Sequence, residues 1–266
     1  MYEAFFGMTH TPFTSSIPTR NLYLTHAFEE TLGRLHCAAE NQMFATVTAD
    51  VGCGKTTVLR RFRDDLDPSK YICLYLADSI LRPRWLYNGL LEQLGERQCF
   101  YRGDARLLLH RQLSLTRALQ RKRVVTIIDE SHLLERETLE ELRFLLNCDM
   151  DSGNPMALIL AGQNELWDKL RKQVYTALRQ RIDIKCEIPQ LDRSQCGQYI
   201  HAHLNYAGDR VDIFSDAAMD EIYKYSAGAA RAVNKVCYHA LLCASQRGKK
   251  IVDDHLVKLV IQNELP

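Results

Sequence analysis

The sequence predicts an α/β fold in which a parallel sheet is wrapped by helices and followed by a smaller region of helices alone. Three observations carry that expectation. Five short apolar, β-branched runs alternate with helix-period segments between positions 44 and 188, the pattern of a parallel sheet covered on both faces. Past Pro189 only helix-period segments remain. Between the first strand and the next helix lies a glycine-rich loop, Ala49-Asp50-Val51-Gly52-Cys53-Gly54-Lys55-Thr56-Thr57.

In chain order, strands are expected at 44–49, 71–76, 124–129, 156–161 and 182–188. Helices are expected at 27–40, 56–66, 84–94, 105–121, 136–147, 164–170 and 175–179. Beyond them, 194–206, 215–225, 229–246 and 253–262 read as helices punctuated by Gly208 and Gly228. The domain boundary is placed at Pro189-Gln190-Leu191, giving an N-terminal segment plus α/β core over 1–190 and a helical lid over 191–266.

The loop has the chemistry of a phosphate cradle. Glycines let successive backbone N–H groups turn inward, and the following helix N-terminus adds its positive dipole end. Lys55 can reach the β- and γ-phosphates, and the Thr56 hydroxyl can ligate Mg²⁺. The usual first glycine of G-x-x-x-x-G-K-[ST] is Ala49 here, while Gly52 and Gly54 are kept. Asp50, Val51, Cys53 and Thr57 complete the expected nucleotide-binding set. Downstream, Arg123-Val124-Val125-Thr126-Ile127-Ile128-Asp129-Glu130 reads as a buried strand ending in two carboxylates. Asp129 is expected to hold Mg²⁺, and Glu130 to orient and deprotonate the attacking water.

Composition narrows the class. The 266-residue chain has room for a core plus a small domain, and its formal charge of +1 names no partner. Nine cysteines without a C-x-x-C suggest reduced thiols. No leader-like segment and no apolar run of membrane-spanning length is seen, so a cytoplasmic protein that neither spans a membrane nor is secreted is expected.

A P-loop core followed by a helical lid resembles the AAA+ ATPases. That resemblance implies a sensor-1 role for Gln163, an arginine finger at Arg179 or Arg181 acting on a neighbouring subunit's ATP, and a sensor-2 role for Arg231. It also implies that Phe13 closes over the adenine, the alternative being a packing residue. The ordered series is more specific. It comprises Phe5-Phe6-Gly7-Met8, Pro12-Phe13, the loop, Ile128-Asp129-Glu130-Ser131-His132-Leu133-Leu134, Leu160-Ala161-Gly162-Gln163, Gln180-Arg181-Ile182, and Ser226-Ala227-Gly228 with Arg231-Ala232-Val233-Asn234. The series is similar to the ATPase family containing the secretion ATPase ExeA (GspA) and the transposition regulators TnsC and TniB, with Ala230 where that family often has Pro. The resemblance implies ATP and Mg²⁺ as cofactors and ATP-dependent self-assembly into an oligomer or helical filament. Because the sequence ends at Pro266 without a membrane segment, the main expectation is a TnsC-like regulator of DNA transposition. Such a protein assembles on double-stranded DNA and recruits a transposase and target-selection proteins; the alternative is a GspA-like secretion ATPase.

The residues also suggest where DNA would lie. Between Arg97 and Arg123 there are eight basic residues and one acid, Asp104. Arg106, His110 and Arg117 fall on one helix face, and Leu108, Leu115 and Leu119 are expected to bury opposite. Arg82, Arg84, Arg102, Arg106 and Arg117 are the expected DNA-contacting set.

Overall fold

The structure, a computed structural model, describes residues 2–77, 81–146, 153–208 and 213–265. Two compact units emerge: one comprises residues 27–49 and 55–188, the other residues 1–26, 50–54 and 189–266.

The first unit is the α/β body. Strands β1 (Phe44–Ala49), β2 (Tyr71–Leu76), β3 (Arg123–Ile128), β4 (Ala157–Gly162) and β5 (Ile184–Ile188) form one sheet in the order β2-β3-β4-β1-β5. Every neighbouring pair is parallel, as the alternating sequence requires. β1 and β4 are buried throughout, which is why they read as continuous apolar runs. One face carries α4 (Pro83–Gln93), α5 (Arg102–Leu115), α6 (Arg136–Leu146), α7 (Glu165–Arg171) and the short α8 (Thr176–Arg179), whose leucines pack with Phe44, Leu74, Val124 and Leu158. α2 (His26–Asn41) and α3 (Lys55–Asp65) meet through the rings of His36 and Phe62. Leu35, Leu59 and Phe62 are buried there.

Several boundaries differ from the sequence expectation. β3 ends at Ile128, so Asp129 follows the strand, although its N–H still reaches the Leu76 carbonyl at 2.8 Å. β5 begins at Ile184 because turn bonds from Arg181 to Leu178 and from Ile182 to Arg179 hold the preceding residues. Asn147, expected to end α6, lies outside the described residues. α5 starts three residues earlier than expected and runs into a π-helical turn, Thr116–Gln120. Its buried face is Ala105, Leu109 and Leu113; Leu108 is half-buried, and Leu115 and Leu119 are 36% and 77% exposed. The expected stripe is therefore off by one position. The Leu107-Leu108-Leu109 run fixes no helix phase, and the small Ala105 lies on the side that meets the core.

The second unit is helical. α9 (Arg193–Gly208), α10 (Asp216–Ser226), α11 (Ala230–Gln246) and α12 (Asp254–Glu264) share a core with the unforeseen α1 (Tyr2–Phe6). Residues 1–26 thus pack with the helical region, whereas the sequence grouped them with the α/β core. Ser215 caps α10 by accepting from Ala218 N–H, and Asp253 caps α12 by accepting from Leu256 N–H. Gly228 is required: its φ is +81°, and a Cβ there would sit 2.0 Å from the Leu191 carbonyl oxygen.

Candidate nucleotide site

In the α/β unit the sheet brings the charged residues together at the C-terminal strand ends. Lys55 opens α3, and its buried ammonium donates to the Ala49 carbonyl at 2.7 Å. The Thr56 hydroxyl donates to Asp129 Oδ2 at 3.3 Å. Two hard oxygen donors, one on a buried carboxylate, fit a small hard cation completed by phosphate and water. Among the described residues no group of three or more His, Cys, Asp or Glu gathers, so such a cation would depend on those outside ligands. Tyr75, unseen in the sequence reading, donates its phenol to the same Asp129 oxygen at 2.9 Å. Burial and then the Asp129 charge push its pKa up to about 12, so it stays a donor. No local signal marks Tyr75; only the β2–β3 register carries it there.

Glu130 adopts φ +51°, unusual for a non-glycine residue. Its N–H bonds Asp129 Oδ1 at 2.9 Å, and its half-exposed carboxylate lies 3.5 Å from His132 Nδ1. The backbone N–H of Gln163, one residue past β4, points at the same Nδ1 at 3.4 Å. Lys169 on α7 donates to the carbonyls of His132 and Leu134 at 2.7 and 2.9 Å. Its pKa is lowered, chiefly by burial. His132 stood in the Ile128–Leu134 stretch of the resemblance without a role assigned to it; Lys169 had no signal.

The two finger candidates part company. Arg179 Nη1 donates to the Arg171 carbonyl at 2.8 Å, capping the end of α7. Arg181 lines a cavity of about 550 Å³ with Arg143, Asn154, Gln180 and Asp183.

The expected DNA set is not one cationic face. Arg102 bonds Glu137 at 3.0 Å and lies 3.6 Å from the buried Glu141. Arg106 is 3.9 Å from Glu141, which also accepts from Tyr87 at 2.7 Å. Arg84 stacks over the rings of Phe100 and Trp85 at 4.8 and 5.3 Å. Arg82 is exposed, and Arg117 is exposed in the π turn, about 22 Å along the axis from Arg102.

In the helical unit, Gly52 and Gly54 take φ +79° and +91°, the left-handed geometry that a phosphate cradle needs. The Gly52 carbonyl accepts the Arg231 N–H at 3.0 Å, and a Cβ on Gly52 would lie 2.9 Å from Arg231 Cβ. Arg231 itself is exposed near the start of α11. Asp50 accepts from Gln190 at 3.1 Å; Val51 is exposed and Cys53 buried. Thr57 lies in the first turn of α3. Phe13 departs from its expected role over an adenine. It is 6% exposed, stacks on His203 at 5.1 Å and donates its N–H to His203 Nδ1 at 3.0 Å, so its ring serves the helical core.

Comparison with known proteins agrees with this geometry. Residues 38–170 match the family model described as AAA domain. The chain is 32% identical over 258 residues to general secretion pathway protein A of Aeromonas hydrophila, which covers 95% of this chain and 46% of that protein. It therefore spans about half the length of that relative. Cdc6p of Pyrobaculum aerophilum superposes with a TM-score of 0.71 at 18% identity, over 95% of this chain and 70% of that one. The Aeropyrum pernix ORC1 protein in complex with DNA gives 0.68 at 16%, over 94% and 67%. At these identities the two structures speak for the fold.

Proposed function

We propose that this chain, which belongs to the AAA domain family and is an ATPase, acts as the nucleotide-driven module of a general-secretion-type system. The observation that carries this reading is the 32% identity to general secretion pathway protein A across 95% of the chain. It shifts the balance away from the sequence expectation of a transposition regulator. No helix among the described residues is long and apolar enough to cross a membrane.

In the proposed mechanism the backbone N–H groups of Gly52, Cys53, Gly54 and Lys55 bind the phosphates, with Asp50, Val51 and Thr57 shaping the loop. Lys55 exchanges its Ala49 carbonyl for phosphate oxygen. Thr56 and Asp129 would hold Mg²⁺, which would neutralise phosphate charge. Glu130 takes the proton from the attacking water, and the Gln163 side chain engages the terminal phosphate. Arg231 keeps the sensor-2 role that family resemblance implies. Arg181 or Arg179 acts on the ATP of a second copy, the role that family resemblance implies for one of the two. Mixing Arg181→Ala with Lys55→Ala protein should then restore part of the ATPase activity lost in each alone. No rescue at any ratio, with oligomers verified, would refute action in trans. In the native host, Lys55→Ala should stop delivery of secreted enzymes to the medium; unchanged export would refute the secretion role.

A second reading, assembly on duplex DNA to recruit a transposase and target-selection proteins, is favoured by the exposed Arg82 and Arg117. ATP-dependent, salt-sensitive binding of a duplex of arbitrary sequence would support it.

A further inference from the structure

We propose that His132 is a positioning residue whose Nδ1 is shared between Glu130 and the end of β4, and so sets whether Glu130 is held ready for proton transfer. This inference deepens the ATPase reading above and rests on Glu130 being the base.

Two neighbours compete for one atom. Nδ1 lies 3.4 Å from the Gln163 backbone nitrogen and 3.5 Å from Glu130 Oε2. The Gln163 N–H is a donor, so Nδ1 facing it must be bare, with the ring proton on Nε2. An ionised carboxylate only accepts, so it gains nothing from a bare nitrogen. Nδ1 therefore serves Gln163 in one neutral tautomer and Glu130 in the other. The proton moves between ring nitrogens, and no net charge is added.

The backbone that carries the imidazole is held in place. Its backbone carbonyl is tied down by Lys169, and the Leu134 carbonyl is held by the same ammonium. A Cβ on Gly162 would lie 3.0 Å from the His132 backbone nitrogen, so this segment lies directly on the end of β4. Glu130 has its N–H bound by Asp129 and its carbonyl bound by Leu133 N–H at 2.9 Å. Its freedom is thus confined to side-chain rotation. His132 is the one basic side chain paired with that carboxylate among the described residues. When the Gln163 side chain engages the terminal phosphate, any shift of its backbone N–H releases Nδ1, and the Nδ1–H tautomer can then hold Glu130. Occupancy of the phosphate end of the site is thereby reported to the base over two contacts, of 3.4 and 3.5 Å.

The test combines ring-nitrogen NMR of the ¹⁵N-histidine-labelled 266-residue chain with steady-state kinetics. Without nucleotide, His132 should show a bare, hydrogen-bonded Nδ1; a non-hydrolysable ATP analogue with Mg²⁺ should move the proton to Nδ1. Glu130→Gln should keep Nδ1 bare, because the amide can donate to it. His132→Asn, which carries an N–H donor near the Nδ1 position, should keep most of the turnover. His132→Phe, which keeps the ring shape without the nitrogens, should lose about tenfold to a hundredfold in kcat with nucleotide KM and thermal midpoint unchanged. Wild-type turnover by His132→Phe alongside an inactive Glu130→Gln overturns the proposal alone. A single Nδ1 state with and without analogue also overturns it. Wild-type turnover by Glu130→Gln instead refutes the base assignment beneath it.

Discussion

Replacing Gly52 with alanine disturbs the phosphate loop without deleting any group that touches nucleotide. The position has φ +79°, where an L-residue pays about 1–2 kcal/mol in backbone strain. The new Cβ would lie 2.9 Å from Arg231 Cβ, well short of the ordinary carbon–carbon separation of about 3.5 Å. That neighbour is a Cβ beside helical backbone, so the loop must move, and the Arg231 N–H bond to the Gly52 carbonyl weakens by about 1 kcal/mol. The combined penalty is about 2–3 kcal/mol. Displaced loop N–H donors add a loss of affinity, each charge-assisted bond being worth about 1.5–3 kcal/mol. Melting with and without Mg²⁺-ATP reads both effects. At a hundred times the dissociation constant, ligand adds about 2.7 kcal/mol; if affinity falls a hundredfold, the same concentration adds only about 0.4 kcal/mol. The ATP-induced rise in midpoint should therefore nearly vanish. Gly95→Ala is the control, with φ +83° and nothing within 4 Å of the new Cβ: it should lower the midpoint through strain and keep the full ATP shift. A full ATP shift in Gly52→Ala would refute the reasoning.

Glu130→Gln should bind nucleotide normally while hydrolysis falls by about 10²–10⁴, checked by phosphate release beside a nucleotide titration. Buried His203, its pKa pushed down to about 4 by desolvation, accepts from Phe13 N–H. Between pH 6.5 and 4 the unfolded chain binds more protons than the folded one, so stability is full above 6.5 and is lost as pH falls toward 4. Urea midpoints across that range should fall more steeply in the wild type than in His203→Gln; parallel curves would sink the assignment. Arg102→Ala, which removes a partner of buried Glu141, should lower the thermal midpoint by the equivalent of about 1 kcal/mol, allowing for the exposure of the arginine. Arg117→Ala should leave it within about 0.5 kcal/mol, and equal effects would contradict the ion-pair geometry.

The strands and the carboxylate pair Asp129-Glu130 that follows β3 were legible because they depend on local pattern. β1 and β2 fall where the short apolar runs place them, and the loop's glycines sit where a strand turns into a helix. What depended on register or helix phase was not legible. Tyr75 reaches Asp129 from a strand 54 residues away in sequence, and Lys169 reaches the His132 carbonyl across 37. A run of three leucines in α5 could not say which one faces inward, and the π turn after Leu115 shifts the phase again. Phe13 resembled a lid over a base; only the stacking on His203, 190 residues later, shows where its ring belongs.

The arginine geometry also changes what a DNA experiment would mean. If all five expected arginines neutralised phosphates, log K would fall against log salt with a slope of about −4.5. Arg102 and Arg106 already face Glu137 and Glu141, so binding phosphate through them requires breaking pairs with a buried acid. Arg82, Arg84 and Arg117 remain, for a slope of about −2.7. With a net charge of +1 there is little long-range field to add to them. Replacing Arg102, Arg106 and Arg117 together with Glu would place two new acids beside Glu141, so loss of DNA binding in that variant would report misfolding as readily as a lost contact. Arg117→Glu with Arg82→Glu avoids the ion pairs. A slope near −2.7 that falls by about two units in this double variant would place duplex DNA on these residues. An unchanged slope would remove them from any DNA contact, whereas no salt-sensitive duplex binding by the wild type would leave the secretion-type reading without its competitor.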